Sequence, residues 1–166
     1  MEILARSSGI LSWRDRSVRC ALGRGGVRED KREGDGATPL GVFRLRRVIY
    51  RADRVDVPAS RLPVAAMTVQ DGWCDDAADR RYNQMVRLPC EASHEILWRE
   101  DGVYDVCVVI GHNDEPVKPG RGSAIFMHVA ASDFAPTEGC VAIALVDLVA
   151  LLEECGPEAQ LRISPD

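Results

Sequence analysis

The stretch Ile125–Ile143 reads IFMHVAASDFAPTEGCVAI, and it predicts two short strands joined by a loop. Its ends, AIFMHVA and GCVAI, are bounded apolar runs of the kind found in strands, whereas the residues between them are mostly small or polar. His128 lies in the first predicted strand, and Cys140 opens the second. If the loop brings the two strands side by side, the two reactive side chains face each other.

Similar short apolar runs recur along the chain and predict a mainly β protein. Turn-rich stretches separate them, such as residues 23–26, 33–41 and 111–122. A chain of 166 residues is about the length of one domain, so we expect a single domain over residues 1–166. The further predicted strands are EILA, SVRCAL, GVFRLRRVIY, VYDVCVVIG and AQLRI.

One segment instead has helical spacing. ALVDLVALLEECG, at 144–156, places an apolar stripe on one face, and Gly156 followed by Pro157 is predicted to end the helix. A second, shorter helix is predicted over 90–100, CEASHEILWRE, with Ser93 as its N-cap. Residues 51–89 show little periodicity, which predicts a long loop insertion. The stripe consists of Leu145, Leu148, Leu151, Leu152 and Cys155.

Composition excludes several classes of protein. No window approaches the ~18 consecutive apolar residues of a membrane span, so the chain is not expected to be embedded in a bilayer. The N-terminus lacks the apolar block of a secretory signal, so we expect a cytoplasmic protein unless an export signal is missing from this chain. A net charge of −5 and only 5% aromatic residues argue against a nucleic-acid partner.

The six cysteines predict core thiols more readily than disulfides. Cys20, Cys107 and Cys155 lie in apolar-patterned segments, where a free thiol behaves as a small core residue. A metal site would recruit Cys74, Cys90 and His94, but no closely spaced pair of ligands is present. Neither a metal nor another cofactor is expected.

Cys140 has the setting of a nucleophile. After a glycine turn, the amides of Gly139 and Cys140 can converge on one point, as a tetrahedral oxyanion requires. The thiol needs a base, and His128 is the nearest candidate, with His112 and His94 as competitors. Two residue types in one short stretch are a weak pattern, which by itself favours a buried neutral histidine beside an inert cysteine.

The surrounding residues resemble the catalytic signature of the YkuD-type L,D-transpeptidases. In that family a strand histidine is followed, after a loop, by a Ser/Thr-x-Gly-Cys-aliphatic turn, and Thr137–Val141 matches this turn. GATPLGVFRL resembles the Thr-Pro-x-Gly-x-Phe segment near the start of these domains, and GRGSAIFMHVA resembles the glycine-rich approach to the histidine. The matching residues of the first segment are Thr38, Pro39, Gly41 and Phe43.

The resemblance implies a mixed β-sheet sandwich or barrel with one C-terminal helix and long loop insertions. It implies action in the periplasm or cell envelope on the stem peptides of peptidoglycan. Cys140 would be the nucleophile, reactive near neutral pH, and His128, oriented by a backbone carbonyl, the base and later the acid. The amides of Gly139 and Cys140 would bind the oxyanion. An L,D-carboxypeptidase or amidase using the same pair, or a non-catalytic wall-binding domain, are the alternatives.

Two positions depart from the common family pattern. Glu138 and Ala142 stand where many members have a histidine and an arginine. The role of that arginine in binding a stem carboxylate would then pass to another basic residue or be lost. The possible replacements are Arg121, Arg51, Arg54, Lys31 and Arg32, although for each of them a solvated charge is the favoured explanation.

The segment around Trp73 resembles the insert of a compact, divergent branch of the family. Members of that branch are associated with 1,3 cross-links between L-alanine and diaminopimelate, whereas 3,3 cross-links are the other possibility. Trp73, Tyr82 and Asn83 are predicted to contact the stem peptide, as is Thr137. Ordinary packing within the insert, which also includes Asp75 and Asp76, is the alternative for Trp73 and Tyr82.

Overall fold

The computed structural model describes residues 1–166 and contains fourteen strands and one helix. The mainly β prediction is therefore confirmed. The strands are β1 Glu2–Arg6, β2 Ile10–Trp13, β3 Arg16–Ala21, β4 Val27–Arg28, β5 Thr38–Pro39, β6 Gly41–Tyr50, β7 Val64–Ala66, β8 Asp71–Cys74, β9 Met85–Arg87, β10 His94–Ile96, β11 Val106–Ile110, β12 Phe126–Val129, β13 Val141–Ile143 and β14 Gln160–Ser164, and the helix is α1 Leu145–Glu154.

The main sheet has nine strands in the order β11-β12-β13-β3-β2-β1-β14-β6-β7. It closes on itself because β6 also pairs with β11. The ten residues of β6 make this possible: residues 41–44 pair with β14, and residues 45–50 pair with β11. Parallel pairs, such as β1 with β14 and β12 with β13, occur beside antiparallel ones, which makes the sheet mixed as expected.

The closed sheet surrounds the larger hydrophobic core. Alternate residues of its strands point inward, and α1 adds Leu148, Leu151 and Leu152, all three fully buried. The predicted leucine stripe is therefore confirmed, and the helix ends at Glu154, before Gly156. Burying each of these leucines stabilises the fold by about 1.5–3 kcal/mol relative to an exposed side chain.

A second layer covers the outer face of β11 and β12. It is a three-stranded sheet in the order β10-β8-β9, and a smaller core lies beneath it, where Trp73 and Tyr104 pack edge-on against Phe126. Strand β11 is consequently buried on both faces. Cys107 belongs to this smaller core, whereas Cys20 and Cys155 belong to the larger one, which agrees with the predicted core thiols.

Two sequence predictions about the second layer are wrong. Residues 90–100 do not form a helix, because His94–Ile96 pairs with β8 and the amide of Leu97 donates to the carbonyl of Asp71 at 3.1 Å. Residues 51–89 are more regular than the predicted loop, since β7, β8 and β9 lie within them. Both errors arise because pairing between strands distant in sequence overrides weak local patterns.

Candidate active site

His128 and Cys140 lie on the same face of two paired strands. Strands β12 and β13 run parallel, and His128 is opposite Ala142. Side chains two positions apart on a strand share a face, so Cys140, just before β13, projects to the side that carries His128. That face points away from the larger core, which receives Met127 and Val141 instead.

The two side chains open into a cavity of about 560 Å³ between the main sheet and the second layer. One wall is formed by β12 and the turn before β13. The opposite wall comes from β10 and the segment that follows it. Its lining includes Lys31, Glu95, Arg99, Tyr104, His128 and Cys140.

The imidazole of His128 is held in one tautomer. Its Nδ1 lies 2.9 Å from the carbonyl oxygen of Val129, and a carbonyl only accepts, so Nδ1 carries the proton and Nε2 keeps a free lone pair. The ring packs edge-on against Tyr104, with 5.2 Å between ring centroids. Burial lowers the pKa of His128 below its ordinary value of 6.5. The imidazole is therefore oriented and neutral at pH 7.

The Cys140 thiol is buried and protonated at rest. Its side chain is near the carbonyl oxygen of Ala124, to which Sγ donates at 3.3 Å, and Sγ accepts from the amide of Phe126 at 3.4 Å. Burial, with the nearby negative charge of Glu95 second, raises the pKa of Cys140 to about 12. The thiol is therefore not a stored thiolate near neutral pH.

The turn before Cys140 requires glycine at position 139. Gly139 has a φ of +132°, and a Cβ there would lie 2.7 Å from the carbonyl oxygen of Ala37. Thr137 ties the turn together: its hydroxyl donates to the carbonyl of Cys140 at 2.7 Å and accepts from the amide of Gly139 at 3.2 Å. The amide of Cys140 makes no hydrogen bond within the chain. The amide of Gly139 is thus occupied by the Thr137 hydroxyl, whereas the amide of Cys140 is free.

The segment that resembles the Thr-Pro-x-Gly-x-Phe motif braces this turn from behind. Thr38 is fully buried, accepts from the amide of Gly23 at 2.8 Å and contacts the carbonyl of Cys140 at 3.4 Å. Gly23 in turn pairs with Thr137. Two segments that resemble family motifs, about a hundred residues apart in sequence, therefore meet at one place.

Among the basic residues predicted to bind a stem carboxylate, Lys31 alone lines the cavity. Its side chain is only 4% exposed and binds Asp35 at 2.5 Å. The others bind carboxylates elsewhere: Arg121 and Arg32 bind Asp30, Arg51 binds Asp53, and Arg54 binds Glu100 and Asp105.

Three residues predicted to contact substrate lie behind the cavity wall, not on its lining. Trp73 donates from Nε1 to Asn83 at 3.0 Å, and Asn83 donates to the carbonyls of His112 and Asn113. Tyr82 donates to the carboxylate of Glu33. Their polar groups are thus occupied by contacts inside the protein. Thr137, in contrast, lines the cavity.

Sequence reasoning missed three residues of this site, Glu95, Arg99 and Tyr104. Glu95 accepts from the Tyr104 hydroxyl at 2.5 Å, and the Arg99 guanidinium lies 5.2 Å from the centre of the Tyr104 ring. The helix predicted over 90–100 does not place these three side chains together, so the prediction missed this arrangement. The alternation His94-Glu95-Ile96 was the available signal, since a strand there turns Glu95 to the opposite side from its neighbours.

The competing histidines are placed differently. His112 does not line the cavity, and its Nε2 is 2.9 Å from the carbonyl of Arg121. His94 reaches the cavity edge, but it belongs to the opposite wall. Of the three, His128 is the one on the face shared with Cys140.

Comparison with known families agrees with this geometry. The family model YkuD, described as the L,D-transpeptidase catalytic domain, matches residues 2–163. The chain belongs to this family. No curated protein matches it. Family membership covers every element described above, from β1 to most of β14. No helix of this L,D-transpeptidase family member has the length and apolar character needed to cross a membrane.

Proposed function

We propose that residues 1–166 are a single catalytic domain that cross-links peptidoglycan stem peptides in the cell envelope through a thioester on Cys140. The observation that carries the proposal is the shared face of His128 and Cys140, open to one cavity, in a chain of the L,D-transpeptidase family. A nucleophile, a base and a group that orients the base is the arrangement that covalent acyl transfer requires.

In the proposed acylation step, Nε2 of His128 takes the thiol proton as Sγ of Cys140 attacks a stem carbonyl. The Val129 carbonyl keeps the proton on Nδ1, so Nε2 is the basic atom. The tetrahedral intermediate collapses when the imidazolium gives its proton to the departing amine, which is D-alanine if the attacked carbonyl belongs to diaminopimelate. A thioester remains on Cys140.

The oxyanion of this intermediate needs donors beside Sγ. The free amide of Cys140 supplies one donor. We assign the second to Gly139, whose amide is released when the Thr137 hydroxyl keeps only its 2.7 Å bond to the Cys140 carbonyl. Preorganised amides of this kind are worth about 2.7–4 kcal/mol each in a transition state.

The position of the cross-link depends on which carbonyl the cavity presents to Cys140. The 1,3 linkage, in which the L-alanine carbonyl is attacked, is the finer proposal, and it rests on the resemblance of the insert around Trp73 to the branch of the family associated with that linkage. Of the basic residues predicted to bind a stem carboxylate, Lys31 lines this cavity, and a stem carboxylate would have to share its ammonium with Asp35.

Purified tetrapeptide and tripeptide muropeptides, incubated with the protein, test the proposal. Intact-mass spectrometry should show an acyl adduct on the wild type, and fragmentation of dimers should locate the cross-link. Cys140→Ala should show neither adduct nor dimer, and Cys90→Ser, which alters a half-buried thiol outside the cavity, serves as the control. Released D-alanine without dimers would indicate a carboxypeptidase. The absence of any adduct would favour a wall-binding domain.

A further inference from the structure

Glu95 is an acidic side chain that faces the reacting atoms from the opposite wall. It lies at the middle of β10, lines the same cavity as Cys140 and His128, and accepts from the Tyr104 hydroxyl at 2.5 Å. Tyr104 also packs edge-on against His128. The carboxylate and the imidazole thus both contact Tyr104.

In transpeptidation the acceptor amine must lose two protons, and the Cys140–His128 pair accepts only one of them. The acceptor amine reaches the enzyme as an ammonium near neutral pH, and an ammonium has no lone pair with which to attack a thioester. One proton must leave before attack, and a second leaves as the new amide forms. His128 accounts for only one of these protons.

We propose that Glu95 binds the acceptor ammonium and takes its first proton. This rests on the proposed function, since it concerns the second half of that reaction. The neutral amine then attacks the thioester carbonyl, so that a C–N bond forms and the C–S bond breaks. The second amine proton passes to Nε2 of His128 and then to the Cys140 sulfur, which restores the thiol. The proton on Glu95 returns to solvent.

The surroundings of Glu95 suit this role. Burial raises the pKa of Glu95, against the opposing effects of the Tyr104 hydrogen bond and of Arg99, which makes it a stronger proton acceptor than an exposed carboxylate. Arg99 is itself bound to Asp101 at 2.5 Å, so it does not neutralise Glu95 through a direct ion pair. The charged or titratable groups that act on Glu95 are Glu33, Asp75, Arg99 and Tyr104, with Cys140 as the thiol on which it acts.

Two acceptors with different protonation separate this role from a structural one. The wild type and Glu95→Gln are given a tetrapeptide muropeptide donor with either a second muropeptide or hydroxylamine as acceptor. Hydroxylamine is neutral near pH 7 and needs no prior deprotonation. We expect Glu95→Gln to lower the ratio of dimer to hydroxamate by about tenfold or more near pH 7, and less at higher pH.

The controls make the result decisive. Glu91→Gln changes an exposed carboxylate of the same segment and should keep the wild-type ratio. Glu95→Asp should recover part of the ratio, and Glu95→Ala, which removes the carboxylate without adding an amide, should lower the ratio as Glu95→Gln does and replaces that variant if it does not fold. An unchanged ratio in Glu95→Gln, or equal losses of dimer and hydroxamate, would overturn the role of Glu95. A wild type that forms no acyl adduct would instead overturn the proposed function, and this role with it.

Discussion

The two walls of the cavity differ in how readily their functional side chains can be recognised from the sequence. On the sheet wall, His128 and the turn from Thr137 to Cys140 stand within one short stretch and resemble a family motif. On the second-layer wall, the aromatic and amide residues that attract notice in the sequence, Trp73 and Asn83, point into the protein. The side chains that line the cavity there include Glu95 and Arg99.

This difference has a physical origin. A turn that presents a nucleophile needs a glycine and a hydroxyl at fixed positions, so its requirements are local. A wall built from a small sheet needs only that its strands pair, and the side chains it presents depend on partners that lie far along the chain. The residues of such a wall that stand out in the sequence therefore tend to stabilise it. The residues that contact a ligand need not stand out in the sequence.

The largest effect is expected from His128→Gln, which removes the base from the sheet wall. We expect acylation of Cys140 to slow by about 10³-fold, because a neutral amide does not accept the thiol proton. The measurement is the rate of adduct formation by intact mass. His112→Gln, outside the cavity, should keep most of the rate; if it loses as much, His128 is not the base.

Gly139→Ala should reduce acylation by about 100-fold, because a Cβ 2.7 Å from the Ala37 carbonyl forces the turn and its amides to move. Gly120→Ala is the matched control, since Gly120 also has positive φ, +76°, but no atom lies within 4 Å of its Cβ position. The rate of adduct formation by intact mass is measured for both variants. Equal losses in the two variants would attribute the effect to backbone strain alone.

Asn83→Ala tests the second-layer wall and should act on stability. Asn83 bonds Trp73, Ala124, His112 and Asn113, so its loss leaves buried polar groups unpaired and should lower the free energy of unfolding by about 2–3 kcal/mol. Urea denaturation measures this. Gln84→Ala, an exposed neighbour, should change it by less than about 0.5 kcal/mol. A raised KM with unchanged stability would instead support substrate contact by Asn83.

The smallest expected effect is a shift of the acid limb of the pH profile of acylation to lower pH. His128 acts as a base only when neutral, and burial lowers its pKa, so activity should persist below pH 6.5 and fall only at lower pH. The profile of kcat/KM for acylation checks this. An acid limb above 6.5 would mean that the nearby carboxylates stabilise the imidazolium more than burial disfavours it.

Much of the fold was predictable because its causes are local. The leucine stripe of α1 and the apolar runs of the main sheet follow from spacing alone, and both are found where expected. The strand at His94–Ile96 was missed, because its alternation spans only three residues among helix-favouring types, and pairing with β8 makes it extended. Because that strand was not predicted, Glu95 was not recognised as a residue that lines the cavity.

Some features of the site could likewise be predicted from the sequence, and others could not. Thr137, Gly139 and Cys140 could be identified as a turn from sequence, and His128 as its partner by resemblance. Their burial could not, although it sets the direction of both pKa shifts. Lys31 could be named only as one of five basic candidates, and its selection required the cavity.

The sequence by itself determined the chemical groups and the local geometry of the turn, because glycine at a positive φ and a hydroxyl three residues before a carbonyl depend on immediate neighbours. Tertiary structure alone decided the register of β12 and β13, which pairs His128 with Ala142 and so sets His128 and Cys140 on one face. It also decided that a carboxylate completes the opposite wall. Both depend on pairing between distant segments, which no local pattern encodes.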